Sequence, residues 1–408
     1  VQSLSDKDKD KDKDKDNFSY DTHPKKESSK EKIIDQAIKF HLEGNISQAE
    51  KYYQYSIIHG CNDPRVFSNY GSILKTSGNL KKAEISIRKA IELKPDYAIA
   101  HDNLGSLLRD LGQLKEAELS IRKAIEHKPD FANAHNNLGR ILIELGNLKQ
   151  AKISLIKAIK IKSEYFLAYL NLSICLYLLK EKKSALKAIE NAKSIEPNNK
   201  DIILLSNIIN SKLNIIKNKE SELDKIRNNF FKEDKNLFIT NKPIDQDLIK
   251  SLYKVKAIDA NRINKYQPVI IGNTRGSDFN LFENNISNIK KLEEDLIAIL
   301  ETNIKSNIFI RDSFVTIFKS GGGVKNHAHI NSFDRRLKCS NRKMSLVYYV
   351  STGDQDCEDP GILKLYNPNK DILPSDGMIV IFPADRLHSA SYSGKKDRII
   401  VGVNFYII

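Results

Sequence analysis

The stretch VKNHAHINSF (324–333) sets His327 and His329 two residues apart, directly after the glycine run 321–323. The chain has only nine histidines in 408 residues, so this pair invites a chemical reading. On a β-strand, residues i and i+2 share a face, and both imidazoles are expected to point the same way. A third histidine, His388, follows the apolar run MIVIFPA. A lone histidine is more often a satisfied structural residue than a ligand. Two at i, i+2 with a third before a later strand read as a metal site, because imidazole is a good donor to divalent transition metals. A basic cluster follows the pair: Arg335, Arg336, Lys338, Arg342 and Lys343. It is either a solvated loop or a surface facing an acidic substrate.

These residues sit among short apolar, β-branched and aromatic runs: FVTIF, SLVYYV, ILKLY, MIVIF and RIIVGVNFYII, separated by Gly, Pro, Asn and Asp. Such spacing predicts an antiparallel sandwich or jelly roll over 286–408, opened by an amphipathic helix at 286–301. Within 200–285, a region of capping helices and linker, a helix at 201–217 is expected to cap the open end of the helical half, while 218–285 is less legible: helices near 220–232 and 245–256, then the turn-rich GNTRGSDFN, with no role assigned.

Ahead of this the chain repeats every 34 residues, and 64–97, 98–131, 132–165 and 166–199 align without a gap, after a weaker copy from about 30. Gly71, Gly105 and Gly139 recur at one position and Ala49, Ala83, Ala117, Ala151 and Ala185 at another, where helices must approach closely. Gly44, Gly78, Gly112 and Gly146 mark turns, and Pro95, Pro129 and Pro197 end second helices. Ser163 and Lys180 depart from this pattern, which predicts less regular packing in the last two repeats. The 30–199 region resembles a tetratricopeptide (TPR) array of five repeats. Residues 1–29, with alternating Asp and Lys, cannot bury a core and are expected to be disordered.

The net charge of +14 is spread along amphipathic helices without a recognition motif, so it reads as a solvated surface rather than a nucleic-acid footprint. No run approaches the roughly 20 apolar residues needed to span a bilayer. With no apolar leader core, a cytoplasmic location is expected. Four scattered cysteines argue against structural disulfides.

The order HxH, SLVYYV, GILKLYNP, GMIVIFPADRLH, RIIVGVNF resembles the iron(II)- and 2-oxoglutarate-dependent oxygenases, which are built on a double-stranded β-helix. The resemblance implies Fe(II) held by His327 and His388 as first and last ligands, with 2-oxoglutarate as cosubstrate. It also implies that Arg398 clamps the distal carboxylate of 2-oxoglutarate, a bidentate task suited to guanidinium, with Tyr349 beside it. Position 329, where the family carries an acid, is histidine, and His329 becomes the third ligand. The spacing Gly321, five residues, HxH, four residues, Asp334 also resembles the cupin metal motif, in which Asp334, standing in for the glutamate of that family, is the alternative third ligand and His388 again the last.

Asn69, Asn103, Asn137 and Asn171 fall at one position of four successive repeats, expected to form a ladder on the inner helices. An amide can pair with any peptide bond. The array is similar in this to the superhelix of the O-linked N-acetylglucosamine transferase, and its arrangement ahead of a β-domain resembles the aspartyl/asparaginyl β-hydroxylases. The expectation is a TPR α-solenoid followed by a double-stranded β-helix that hydroxylates a polypeptide held by the array. The rivals are an interaction scaffold with a cupin-like or inactive metal-binding domain, and a small-molecule oxygenase whose array serves assembly.

Overall fold

The computed structural model describes residues 30–211, 222–231, 237–255, 258–259, 270–271 and 274–408. The tail 1–29 lies outside the described residues.

Five helix hairpins come first: α1 (Lys30–Leu42) with α2 (Ile46–Ile58), α3 (Pro64–Thr76) with α4 (Leu80–Leu93), α5 (Ala98–Asp110) with α6 (Leu114–His127), α7 (Ala132–Glu144) with α8 (Leu148–Ile161), and α9 (Phe166–Leu178) with α10 (Lys182–Ile195). Small residues let the paired helices close. A Cβ added at Gly71, Gly105 or Gly139 would lie 2.5 Å from the side chain of Ile87, Ile121 or Leu155 on the partner helix. Between helices the chain turns through a left-handed residue, with φ of 74°, 81°, 78° and 82° at Gly44, Gly78, Gly112 and Gly146. Lys180 adopts the same conformation at φ 65°, so the fifth turn keeps its geometry without glycine. Helix α11 (Lys200–Asn210), capped by the Asn199 side chain, follows the array.

Two antiparallel sheets build the second half. The strands are β1 (Phe238–Asn241), β2 (Ile258–Asp259), β3 (Ile270–Ile271), β4 (Thr274–Gly276), β5 (Ile308–Phe318), β6 (Gly322–His327), β7 (Lys343–Ser351), β8 (Leu363–Leu365), β9 (Lys370–Ile372), β10 (Met378–Pro383), β11 (His388–Tyr392) and β12 (Arg398–Ile407). The larger sheet has the order β1-β10-β7-β12-β5-β4-β2 and the smaller β3-β6-β11-β8-β9. Helices α12 (Glu222–Phe230), α13 (Gln246–Lys254) and α14 (Ser287–Ile304) lay Leu223, Leu248, Leu252, Leu292 and Leu296 against the larger sheet. Strand alternation then divides the side chains. On β12, Ile399, Val401, Val403 and Phe405 join that helix-covered core, while Arg398, Ile400, Gly402 and Asn404 line a cavity toward the smaller sheet. The segment to which the sequence assigned no role supplies β1 to β4, so the sheets begin ahead of residue 286.

The halves are packed together. After β6 the chain forms a short helix, α15 (Ser332–Leu337), that lies against α7 and α9. Phe333, Leu337, Cys339 and Tyr406 share one apolar core with the inner helices of the array. The basic cluster divides: Arg335 and Lys338 are exposed, whereas Arg336, Arg342 and Lys343 are buried. Arg336 donates to Asn171 Oδ1, and Arg342 Nη1 donates to Ser211 Oγ at 3.2 Å. Ion pairs Arg311–Asp201 (3.0 Å) and Lys200–Glu283 (2.8 Å) flank the junction. Among the described residues no helix is long and apolar enough to cross a membrane.

Candidate metal centre

His327 is the last residue of β6 and pairs across the ladder with His388, the first of β11. The strand ends there, so His329 does not share its face by alternation. Instead its backbone N–H donates to Ala384 O at 2.7 Å, which fixes the loop where the third ring meets the other two. Ring centroids lie 4.9 Å apart for His327–His329, 4.2 Å for His327–His388 and 5.0 Å for His329–His388. One nitrogen from each falls within 4.8 Å of the others.

The environment keeps these rings neutral, as ligation requires. Burial lowers the pKa of His327, and burial with the neighbouring histidines lowers that of His329. Burial and His327 bring His388 down to about 3. Nδ1 of His327 lies 2.8 Å from Lys325 O, and Nδ1 of His388 lies 3.2 Å from Arg386 O. A carbonyl accepts only, so the proton sits on Nδ1 in both, leaving the Nε2 lone pairs for a metal. Three neutral nitrogens fit a divalent transition metal, with one negative charge fewer than a set containing a carboxylate.

Asp334, the alternative ligand, is not among the group. It is fully buried elsewhere, where it accepts from Asn331 N at 2.9 Å, from Lys343 Nζ at 3.1 Å and from the Tyr406 hydroxyl. It closes a capping box at the start of α15.

The three histidines line a cavity of about 560 Å³, counting its open mouth, together with Tyr349, Arg398, Thr316, Ser345 and Asn404. Arg398 is 1% exposed, and its guanidinium carbon lies 5.1 Å from the Tyr349 ring centre. Nη1 donates to Pro360 O at 3.2 Å, whereas Nε is buried with no hydrogen-bond partner. Burial pulls the pKa of Arg398 down and pushes that of Tyr349 up to about 12. A buried cation with an unsatisfied donor inside a cavity suits an incoming carboxylate. The space above Gly402 is filled by Phe314, whose ring would lie 2.3 Å from an added Cβ. Phe314 also comes within 6.4 Å of the His329 ring, a neighbour that the sequence did not flag.

The asparagine ladder forms, and each amide reaches an earlier hairpin. Asn69 Nδ2 donates to the Tyr53 hydroxyl at 3.1 Å and Asn103 Nδ2 to Ser68 Oγ at 2.9 Å. Asn137 Nδ2 donates to Asp102 at 2.9 Å and Asn171 Nδ2 to Asn136 at 2.8 Å. In the latter three the partner stands 35 residues earlier, so the amides bridge successive hairpins.

The 2OG-Fe(II) oxygenase superfamily model matches residues 314–406, and the tetratricopeptide repeat model matches 64–97, 98–131 and 132–165. No curated protein matches the chain. Similar solved structures include PilF of Pseudomonas aeruginosa, 19% identical over 44% of this chain and 82% of its own, with a TM-score of 0.41. A thermophilic TPR protein of Thermus thermophilus is 16% identical over 44% of this chain and 98% of its own, with a TM-score of 0.39.

Proposed function

We propose, for a chain that carries a 2OG-Fe(II) oxygenase domain behind tetratricopeptide repeats, that it is an Fe(II)- and 2-oxoglutarate-dependent dioxygenase acting on a polypeptide. What supports this most is one cavity that holds three neutral imidazoles and, on its wall, the buried Arg398 with an unmatched donor. In this reading His327, His329 and His388 hold iron. Arg398 and Tyr349 take the distal carboxylate of 2-oxoglutarate and fix how far it reaches toward the histidines. When bound, iron would activate O₂ for hydroxylation, with 2-oxoglutarate supplying two of the electrons through its oxidative decarboxylation to succinate and CO₂. The chain's own residues orient the cosubstrate, and Phe314, Leu363 and Ile400 keep the cavity apolar and water-poor. In this reading the array holds the protein chain, a role that tetratricopeptide repeats suit as protein-interaction modules.

The missing carboxylate at position 329 favours a second reading, an interaction scaffold with a metal-binding but inactive β-domain. Anaerobic titration of the full chain with Fe(II), then 2-oxoglutarate, separates them. The enzyme gives a metal-to-ligand charge-transfer band that saturates at one equivalent. The scaffold gives none.

A further inference from the structure

Strand register lays one wall of the histidine cavity in rungs: Phe318 stands opposite Arg398, Thr316 opposite Ile400 and Phe314 opposite Gly402. Phe318 and Thr316 are buried, as Arg398 is, whereas Phe314 is only half-buried. The wall is therefore closed at the arginine end and reaches the mouth at the Phe314 rung. There glycine leaves a gap and the phenyl ring fills it, since a Cβ added at 402 would lie 2.3 Å from the ring. The ring centre lies 6.4 Å from that of His329. Sliding a group between two rings takes two contact layers of about 3.5–4.0 Å each, or about 7–8 Å in all. Nothing passes between Phe314 and His329, and an incoming side chain has only the remainder of the mouth.

The ring is also held in place. Phe279 packs edge-on against Phe314, with ring centres 5.5 Å apart. The segment carrying Phe279 is tied to β5 next to Phe314: Ser313 N donates to Phe279 O at 3.0 Å, and Phe282 N donates to Ser313 Oγ at 3.0 Å. Phe314 is thus a fixed part of the rim. The histidines' other neighbours in the cavity include Val324, Leu363 and Ala390, which offer a visitor apolar contact. Of the polar side chains near this rung, Ser345 and Asn404 bond each other, with Ser345 Oγ donating to Asn404 Oδ1 at 2.9 Å.

We propose that Phe314 determines substrate specificity: it shuts the His329 side of the mouth and leaves an approach to the metal that a slender aliphatic side chain of the polypeptide can take and an aromatic one cannot. This deepens the dioxygenase reading above and rests on it. Shape and apolar contact select the target, because the rim brings no charged group to it.

The test loads the full chain with Co(II), saturates it with 2-oxoglutarate and titrates 1-butylimidazole and 1-phenylimidazole, following the visible spectrum of the metal. Both ligands coordinate through the bare ring nitrogen and carry a substituent away from it, one slender and one flat. Each affinity is divided by that for aqueous Co(II), which removes their difference in basicity. The parent is expected to prefer the butyl compound roughly tenfold or more. Phe314→Ala should lose most of that preference and Phe314→Leu part of it, each while holding one Co(II) per chain. A parent that binds both ligands alike would overturn the filter without reference to any variant. So would a preference that survives intact in Co(II)-loaded Phe314→Ala. A parent that takes up no Co(II), or whose Co(II) spectrum does not respond to 2-oxoglutarate, would overturn the site reading itself and the filter with it.

Discussion

Gly361 stands where its missing side chain admits Arg398: a Cβ added there would lie 1.2 Å from the guanidinium nitrogen Nη1. Gly361 also has φ +83°, a conformation that side-chain-bearing residues rarely adopt. A residue in the loop ahead of β8 thus controls where the arginine that opens β12 can point.

Gly361→Ala is therefore expected to displace Arg398 without touching the histidines. The KM for 2-oxoglutarate should rise roughly tenfold or more, the order of a lost charge-assisted hydrogen bond. Fe(II) stoichiometry should stay near that of the parent. Steady-state kinetics and metal analysis on the same preparation check both. A KM unchanged in Gly361→Ala and in Arg398→Ala would remove Arg398 from the cosubstrate site.

Metal ligation and fold stability should separate cleanly between His388 and Asp334. His388→Ala is expected to abolish stoichiometric Fe(II) binding, and His329→Ala to weaken it severely. Asp334→Ala should leave the metal site's chemistry alone and strand the buried Lys343 charge, at a cost of about 3–5 kcal/mol in stability. Metal content and melting temperature of the three variants decide the matter. Silent binding data for His329→Ala would mean that only two of the rings ligate.

Asp102 gives a pH signature. Its folded pKa of about 6 exceeds the ordinary 3.8, so the folded state holds more protons between those values. Stability from this group is present below about pH 4, falls as pH rises through 6 and stays low above. Asp102→Asn keeps an acceptor for Asn137 and removes the titration. It should melt a few degrees higher than the parent at pH 8, with the gap closing toward pH 4. An equal gap at both pH values would show that Asp102 is not the group responsible.

Replacing Asn103 and Asn137 together with Ala removes two bridges between hairpins, each worth about 0.5–1.5 kcal/mol. The melting temperature should drop by several degrees. If the same amides also meet a substrate backbone, polypeptide turnover is expected to fall about tenfold while uncoupled decarboxylation of 2-oxoglutarate is unchanged, since neither asparagine lines the histidine cavity. Parallel assays of the two reactions distinguish the cases, since equal loss of both would indicate misfolding alone.

The helical half was legible because its constraints are local and periodic: Gly105 must be small against Ile121, and Gly112 must turn, every 34 residues. That His327, His388 and Arg398 line one cavity accords with the resemblance that singled them out beside strongly apolar strands. Less could be read where a residue's fate depends on distant partners. Arg336, Arg342 and Lys343 looked like a surface cluster because Asn171, Ser211 and Asp334, which receive them, are set by tertiary packing. Strands β2 and β3, of two residues each, and β4, of three, carry too little alternation to announce themselves. The placement of His329 also came from a loop anchored on Ala384 rather than from the period of a strand.

Helix α15 has a bearing on how the protein can be dissected. It follows closely on His329, and its Phe333 and Leu337 are buried in the apolar core shared with the solenoid. A fragment beginning at the β-domain would present those side chains, with Cys339 and Tyr406, to water, and would lose the partners of Arg336 and Arg342. The loop carrying His329 would then hang from an undocked helix. Trimming the solenoid away should yield sticky, metal-poor protein, and the smallest piece able to hold a well-ordered centre includes the inner helices of the last two hairpins.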